Sequence, residues 1–175
     1  MTKLHCFFVS VAIALASMQA AIADPAPFGL EIGKTTPESL QEQYRAEQSG
    51  LNKYTMGPMY TVDPSQVGFE GLQELTLIFS RNQKLQGVLA TLHKNRFDRL
   101  YKMLRGKYQL VSKKIPFVGN KSAEFRDGQT DVRLNAPHLS FEMSMHYLHS
   151  DLVASFERQR AREKNEKRQR ESGQL

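Results

Sequence analysis

Apolar and polar positions alternate with period two in several short stretches of the chain. In "LQELTLIFS" (72–80), Leu75, Leu77 and Phe79 share one side, while Thr76, Ile78 and Ser80 take the other. That is the pattern of a half-buried strand. After the turn residues "RNQK", "LQGVLATLH" continues in the same way, which predicts a hairpin. "LSFEMSMHYL" predicts a strand with Phe141, Met143, Met145 and Tyr147 on its buried face and Ser140, Glu142, Ser144 and His146 on its wet face. "SAEFRDGQTDVRL" predicts two strands about Asp127-Gly128, a two-residue hairpin signal. "KYTMGPMYTV" and "KYQLVSKKI" read as extended.

Elsewhere the period lengthens. In "NRFDRLYKMLRG", Phe97, Leu100, Tyr101 and Leu104 recur at helical spacing, with Asn95 as the expected cap. "GKTTPESLQEQYRAEQSG" predicts another helix, capped by Thr35 or Thr36, with Pro37 in its first turn. Glu38 follows Thr35 by three, as in a capping box, and Gly50 supplies a left-handed stop. Ser150 or Asp151 is expected to cap a last helix.

The two halves share an order of elements. Lys-Tyr follows a helix and Gly at Tyr54 and again at Tyr108, an offset of 54, and Leu92-His93 reappears as Leu148-His149, an offset of 56. The offsets predict a duplicated α-β-β-β unit, about residues 30–93 and 94–154, ahead of a C-terminal helix. The expected fold is α+β, an antiparallel sheet with helices on one face, forming one domain over 24–154.

The N-terminus places this domain in a compartment. "MTKLHCFFVSVAIALASMQAAIA" has a basic start at Lys3, an apolar run from Phe7 to Ala16, and Ala21-Ile22-Ala23 as a small-x-small cleavage site. Residues 1–23 therefore read as a removable signal peptide, and the apolar run is shorter than the ~20 residues that span a bilayer. The expected location is the Gram-negative periplasm, with secretion as the alternative. Cys6 falls in the removed segment, so neither disulfide nor thiol chemistry is expected of the mature domain. No later segment is apolar enough to cross a membrane.

Charge sharpens the reading without deciding it. The whole chain carries +6. Residues 94–121 hold nine bases against one acid, Asp98, while 24–93 and 122–154 each carry −3. Phe97, Leu100, Tyr101 and Leu104 claim the buried stripe of the helix, which leaves Arg99, Lys102 and Arg105 on its wet side. Asp98 and Lys102 are spaced to pair. Such polarisation steers encounter with anionic envelope surfaces more than it holds a complex. An exported protein is not expected to meet nucleic acid. The tail, 155–175, holds mixed charge with no apolar stripe beyond Phe156, and is either a solvated helix or disordered.

"LEIGKTTPESLQEQY" and "LIFSRNQKL" resemble the G-x-T-x-x-x-φ opening and F-x-x-[ND]-x-x-φ hairpin of small periplasmic proteins with the architecture of the assembly lipoprotein BamE and the β-lactamase inhibitor protein. Gly33, Thr35 and Phe79 through Leu85 carry the likeness. The resemblance implies an envelope protein-binding module. The lipid-bearing Cys of the first and the paired Cys of the second are absent from this chain.

Candidate chemistry is thin. His138, His146 and His149 lack a zinc spacing, and no phosphate loop, dinucleotide fingerprint or nucleophile elbow is present, so no cofactor or metal is expected. Glu142, Ser144 and His146 could be imagined as a hydrolase or small-ligand site. Neighbours on one strand face stand about 7 Å apart, too far for a triad on a flat wet sheet. Two apolar stretches serve contact better: Tyr54, Met56, Met59 and Tyr60 about a Gly-Pro bend, and Ile115, Phe117 and Val118 at the matching turn of the second half. Methionine and aromatic side chains suit contact surfaces. The expected function is a non-enzymatic periplasmic binding or accessory module acting on another envelope protein, with the hydrolase or ligand-binding reading as the alternative.

Overall fold

The computed structural model describes residues 24–174; the expected signal peptide lies outside the described residues. The alternating stretches form one antiparallel sheet. Its strands are β1 (Ala46–Leu51), β2 (Met56–Val62), β3 (Leu72–Ser80), β4 (Leu85–His93), β5 (Gln109–Lys114), β6 (Lys121–Asp127), β7 (Thr130–Ala136) and β8 (Glu142–His149). Their order is β1-β2-β3-β4-β8-β7-β6-β5. Each half of the chain is a meander, and the halves join where β4 pairs with β8, from Gly87 opposite Leu148 to His93 opposite Glu142.

Four α-helices accompany the sheet among the described residues: α1 (Pro37–Gln43), α2 (Pro64–Val67), α3 (Phe97–Lys107) and α4 (Ser150–Ser172). One sheet face is apolar, because Leu75, Leu77, Phe79, Val88, Phe125, Leu134, Met145 and Tyr147 all turn inward. Leu40 of α1 and Phe97, Leu100 and Leu104 of α3 are buried with them in one core. Each such side chain removed from water contributes about 1.5–3 kcal/mol. The other face carries Thr61, Thr76, Arg133 and Ser144, as an antiparallel sheet with one wet side allows. α4 starts on that wet face. Its Leu152 side chain lies 2.8 Å from where a β-carbon on Gly87 would sit, beside Ile78.

The meander assigns every connection to one of two ends. The β1–β2, β3–β4 and β6–β7 turns and the start of α4 share the first end. The β2–β3 connection, the start of α3 and the β5–β6 and β7–β8 loops share the second.

Several local expectations are corrected. The first helix does not reach Gly50: it ends at Gln43, and 46–51 are an edge strand. Tyr44 turns extended and donates from its hydroxyl to the Phe28 carbonyl at 2.8 Å, while the Arg45 N–H donates to Gln66 Oε1 at 2.8 Å. These long-range bonds and the β2 ladder outweigh helix propensity. The first half thus has four strands, where the sequence suggested three. Thr36 is the cap, and its box partner is Ser39 rather than Glu38. Asn95 lies within a 3₁₀ turn (Lys94–Arg96) and caps nothing; α3 starts at Phe97 without a side-chain cap. His149, not Ser150 or Asp151, caps α4 by accepting from the Asp151 N–H. The tail is helical through Ser172. Among the described residues, no helix is long and apolar enough to cross a membrane.

Candidate functional site

The two apolar stretches singled out in the sequence lie at opposite edges and opposite ends of the sheet. The first is largely structural. Tyr60 is buried with its ring 5.6 Å from Phe79, and Tyr54 packs edge-on against Phe156 of α4 at 5.0 Å. Met59 is half-buried, with its sulfur 3.6 Å from Asn52 Nδ2. Met56 alone of the four stands out, 64 % exposed, at a positive φ of 56°. Asn52 organises this turn: its side-chain oxygen accepts from the N–H groups of Tyr54 at 2.9 Å and Thr55 at 3.1 Å.

The second stretch stays open. Phe117 is fully exposed (103 %), Val118 is 66 % exposed and Ile115 is 38 % exposed, all in the β5–β6 loop. The structure adds two residues that sequence reasoning missed: Leu139 (95 %) and Phe141 (93 %) in the β7–β8 loop. Period-two alternation puts Phe141 on the buried face of β8, but the strand starts one residue later, at Glu142. The signal available was "NAPHLSF", a Pro-containing loop that carries two large apolar side chains.

The loops are neighbours because β6 pairs with β7 up to Lys121 and Ala136. Beyond that rung, the His138 N–H donates to Asn120 Oδ1 at 2.7 Å. Lys94 fixes the other side of the β7–β8 loop. Its N–H donates to the Phe141 carbonyl at 2.8 Å, and its ammonium donates to the carbonyls of Pro137 and His138. The Glu142 N–H donates to Ser140 Oγ at 3.0 Å. Backbone held this way presents its apolar side chains at fixed positions.

Cations surround this end. Lys113 and Lys114 directly precede Ile115 and have no acidic partner among the described residues. Asp98 pairs with Lys121 at 3.1 Å and not, as its spacing suggested, with Lys102. Glu70 holds Arg96 at 2.8 Å and Arg99 at 3.4 Å. Lys102 and Arg105 point to solvent on α3, as the helical stripe required. A hollow of about 420 Å³, lined by Lys94, Asp98, Lys121, Ser140 and Phe141, lies beside the exposed loops.

The polar face of β8 carries Glu142, Ser144 and His146 in succession. Among the described residues, no hydrogen bond links Glu142, Ser144 and His146. A shallow hollow of about 200 Å³ touches Ser140, Glu142 and Ser144 but not His146. Burial, followed by the charge of Arg133, holds the His146 imidazole below its ordinary range. His138 lies in the far loop and His149 caps α4; among the described residues no three His, Cys, Asp or Glu side chains could hold a metal ion. Elsewhere on the surface lie a polar groove over β1–β3 lined by Glu47, Thr61, Asp63 and Glu74, and an apolar cleft of about 380 Å³ among Phe28, Phe69, Met103 and Tyr147. Burial among these rings pushes the Tyr147 hydroxyl far above its usual range, with Tyr108 adding to the shift.

No protein-family model, curated protein or solved structure matches this chain.

Proposed function

We propose that the chain is a non-enzymatic accessory module of the cell envelope that works by surface contact. Its contact end is formed by the β5–β6 and β7–β8 loops. One observation carries this reading: four large apolar side chains, Phe117 and Val118 in the β5–β6 loop and Leu139 and Phe141 in the neighbouring, hydrogen-bonded β7–β8 loop, are each 66 % exposed or more. Burying them is favourable at ~25 cal/mol per Å² of apolar surface, and a folded chain gains nothing by displaying them. The periplasmic address rests on the N-terminal segment, and the envelope setting is supported by the resemblance to BamE-like and inhibitor-like proteins. Within the fold, the two stretches that carry that resemblance meet: the Gly33 N–H donates to the Leu85 carbonyl at 2.7 Å, and the Leu85 N–H donates to Thr35 at 2.9 Å. Each half sets a helix before a four-stranded meander, with α2 as an addition between β2 and β3 of the first, and this order supports a duplicated unit related by the central β4–β8 pair.

The test is retention in fractionated envelopes. The double variant Phe117→Ser/Phe141→Ser should leave the far-ultraviolet circular dichroism unchanged and wash out of the envelope fraction. Met56→Ser, at the opposite end of the sheet, should be retained like the parent. Equal retention of all three proteins would sink the assignment.

A further inference from the structure

We propose that the occupant of this end is an anionic lipid surface, with Phe117, Val118, Leu139 and Phe141 entering the headgroup layer. This rests on the contact-module reading and names what is contacted. The shape argues for lipid first. Phe117, Leu139 and Phe141 are each exposed by 93 % or more, so Phe117 and Leu139 stand as separate points and Phe141 stands at the rim of the hollow beside them. A protein partner would need a matching cavity for each projection, over roughly 800 Å² per side for a standard interface. A fluid headgroup layer closes around projections without prior complementarity.

Charge argues next. Lys113 and Lys114 lie on β5 immediately before Ile115, facing opposite ways opposite Ala123 and Ser122. Both can therefore reach a plane that the β5–β6 loop has entered. Lys94 and Lys121 line the hollow beside Phe141, against Asp98 in that hollow and Glu142 at the start of β8. Along the side of α3 that faces solvent, Arg99, Lys102 and Arg105 extend the positive field. Apolar anchors ringed by basic side chains are the combination that holds a protein in the interface of an anionic bilayer. Each lysine near such a surface is worth about fivefold in binding, so losing the Lys113/Lys114 pair should weaken it about 25-fold. That attraction falls with salt, because it acts within a Debye length.

The chain has no Trp, so one introduced at the tip reports without background. The experiment uses the processed protein purified from its own cells, carrying Phe117→Trp or, as a second reporter, Phe141→Trp. Each is titrated with phosphatidylcholine vesicles, with and without phosphatidylglycerol. The inference requires a blue-shifted emission with the anionic vesicles, quenching by lipids brominated near the headgroup, and loss of both with added Lys113→Gln/Lys114→Gln. A Met56→Trp protein, reporting from the far end, should stay unshifted. Emission that shifts with whole envelope fractions but not with protein-free anionic vesicles would overturn the lipid assignment, leave the contact reading standing and point to an envelope protein. Emission unchanged by both would overturn both. Equal shifts with neutral and anionic vesicles would remove the role given to the lysines.

Discussion

Gly57→Ala should destabilise the protein far more than adding one methyl group suggests. Gly57 lies in the bulged part of β2, where the register to β3 shifts between Met56 and Met59. A β-carbon there would fall 2.2 Å from the Phe79 carbonyl oxygen and 2.4 Å from the Ser80 carbonyl carbon and oxygen. These are backbone atoms, so no rotamer change relieves the clash, and β2 must move away from β3 by more than 1 Å to reach ordinary contact. That movement pulls on three hydrogen bonds: Asn52 N–H to the Gly57 carbonyl at 2.9 Å, Gly57 N–H to Thr55 Oγ1 at 3.2 Å, and Thr55 hydroxyl to the Phe79 carbonyl at 2.7 Å. Overpacking costs about 1–3 kcal/mol and each weakened bond about 1 kcal/mol. The entropy gained by replacing Gly returns about 0.4–1 kcal/mol, leaving a net loss of about 4 kcal/mol. For a domain of this size that lowers Tm by about 8–16 °C. Gly106→Ala is the internal control, since a β-carbon there meets nothing within 4 Å, near the end of α3. It should raise Tm by about 1–4 °C through helix propensity. Thermal melts followed by circular dichroism measure both. A Gly57→Ala protein that melts within about 2 °C of the parent would refute the close approach of β2 and β3.

Other expectations are as direct. Leu152→Ala should cost about 2–4 kcal/mol, because the side chain is 5 % exposed and fills the space over Gly87; increased proteolysis of α4 would accompany the lower Tm. His146 is held below its ordinary pKa by burial and by Arg133, so its neutral form stabilises the fold above about pH 6.5 and that contribution fades as pH falls below it. His146→Gln should flatten the decline of Tm between pH 7 and 5, and an unchanged slope would show that the imidazole is not desolvated. Replacing Arg99, Lys102 and Arg105 together with Gln should leave Tm nearly unchanged, since the Arg99–Glu70 pair is exposed on both sides. The same triple variant should weaken binding to anionic vesicles at low salt and much less at high salt.

The strand alternation was legible because burial on one sheet face leaves a period-two record: Leu75, Leu77 and Phe79 are buried where the pattern put them. The α3 stripe was legible for the same reason at helical spacing. Edge strand β1 was not, because "AEQSGL" buries little and its pairing to β2 depends on partners remote in sequence. The contact end was half legible. Phe117 and Val118 stood out beside a Gly and a Pro, but Phe141 continued the apolar rhythm of β8 and looked buried. Whether a rhythm ends one residue early is decided by the loop, here by Lys94 bonding the Phe141 carbonyl, and periodicity carries no trace of that. The likeness of the two apolar stretches in sequence also concealed their separation. Joining two meanders through an antiparallel β4–β8 pair sends matching turns to opposite ends.

The most direct measurement of the central claim is photocrosslinking in living cells, with a light-activated residue placed in turn at positions 117, 141, 56 and 105. The account predicts strong, discrete adducts to envelope lipid or protein from positions 117 and 141, weak ones from 105 and none from 56. Adducts chiefly from 56, or equal labelling from all four positions, would contradict it.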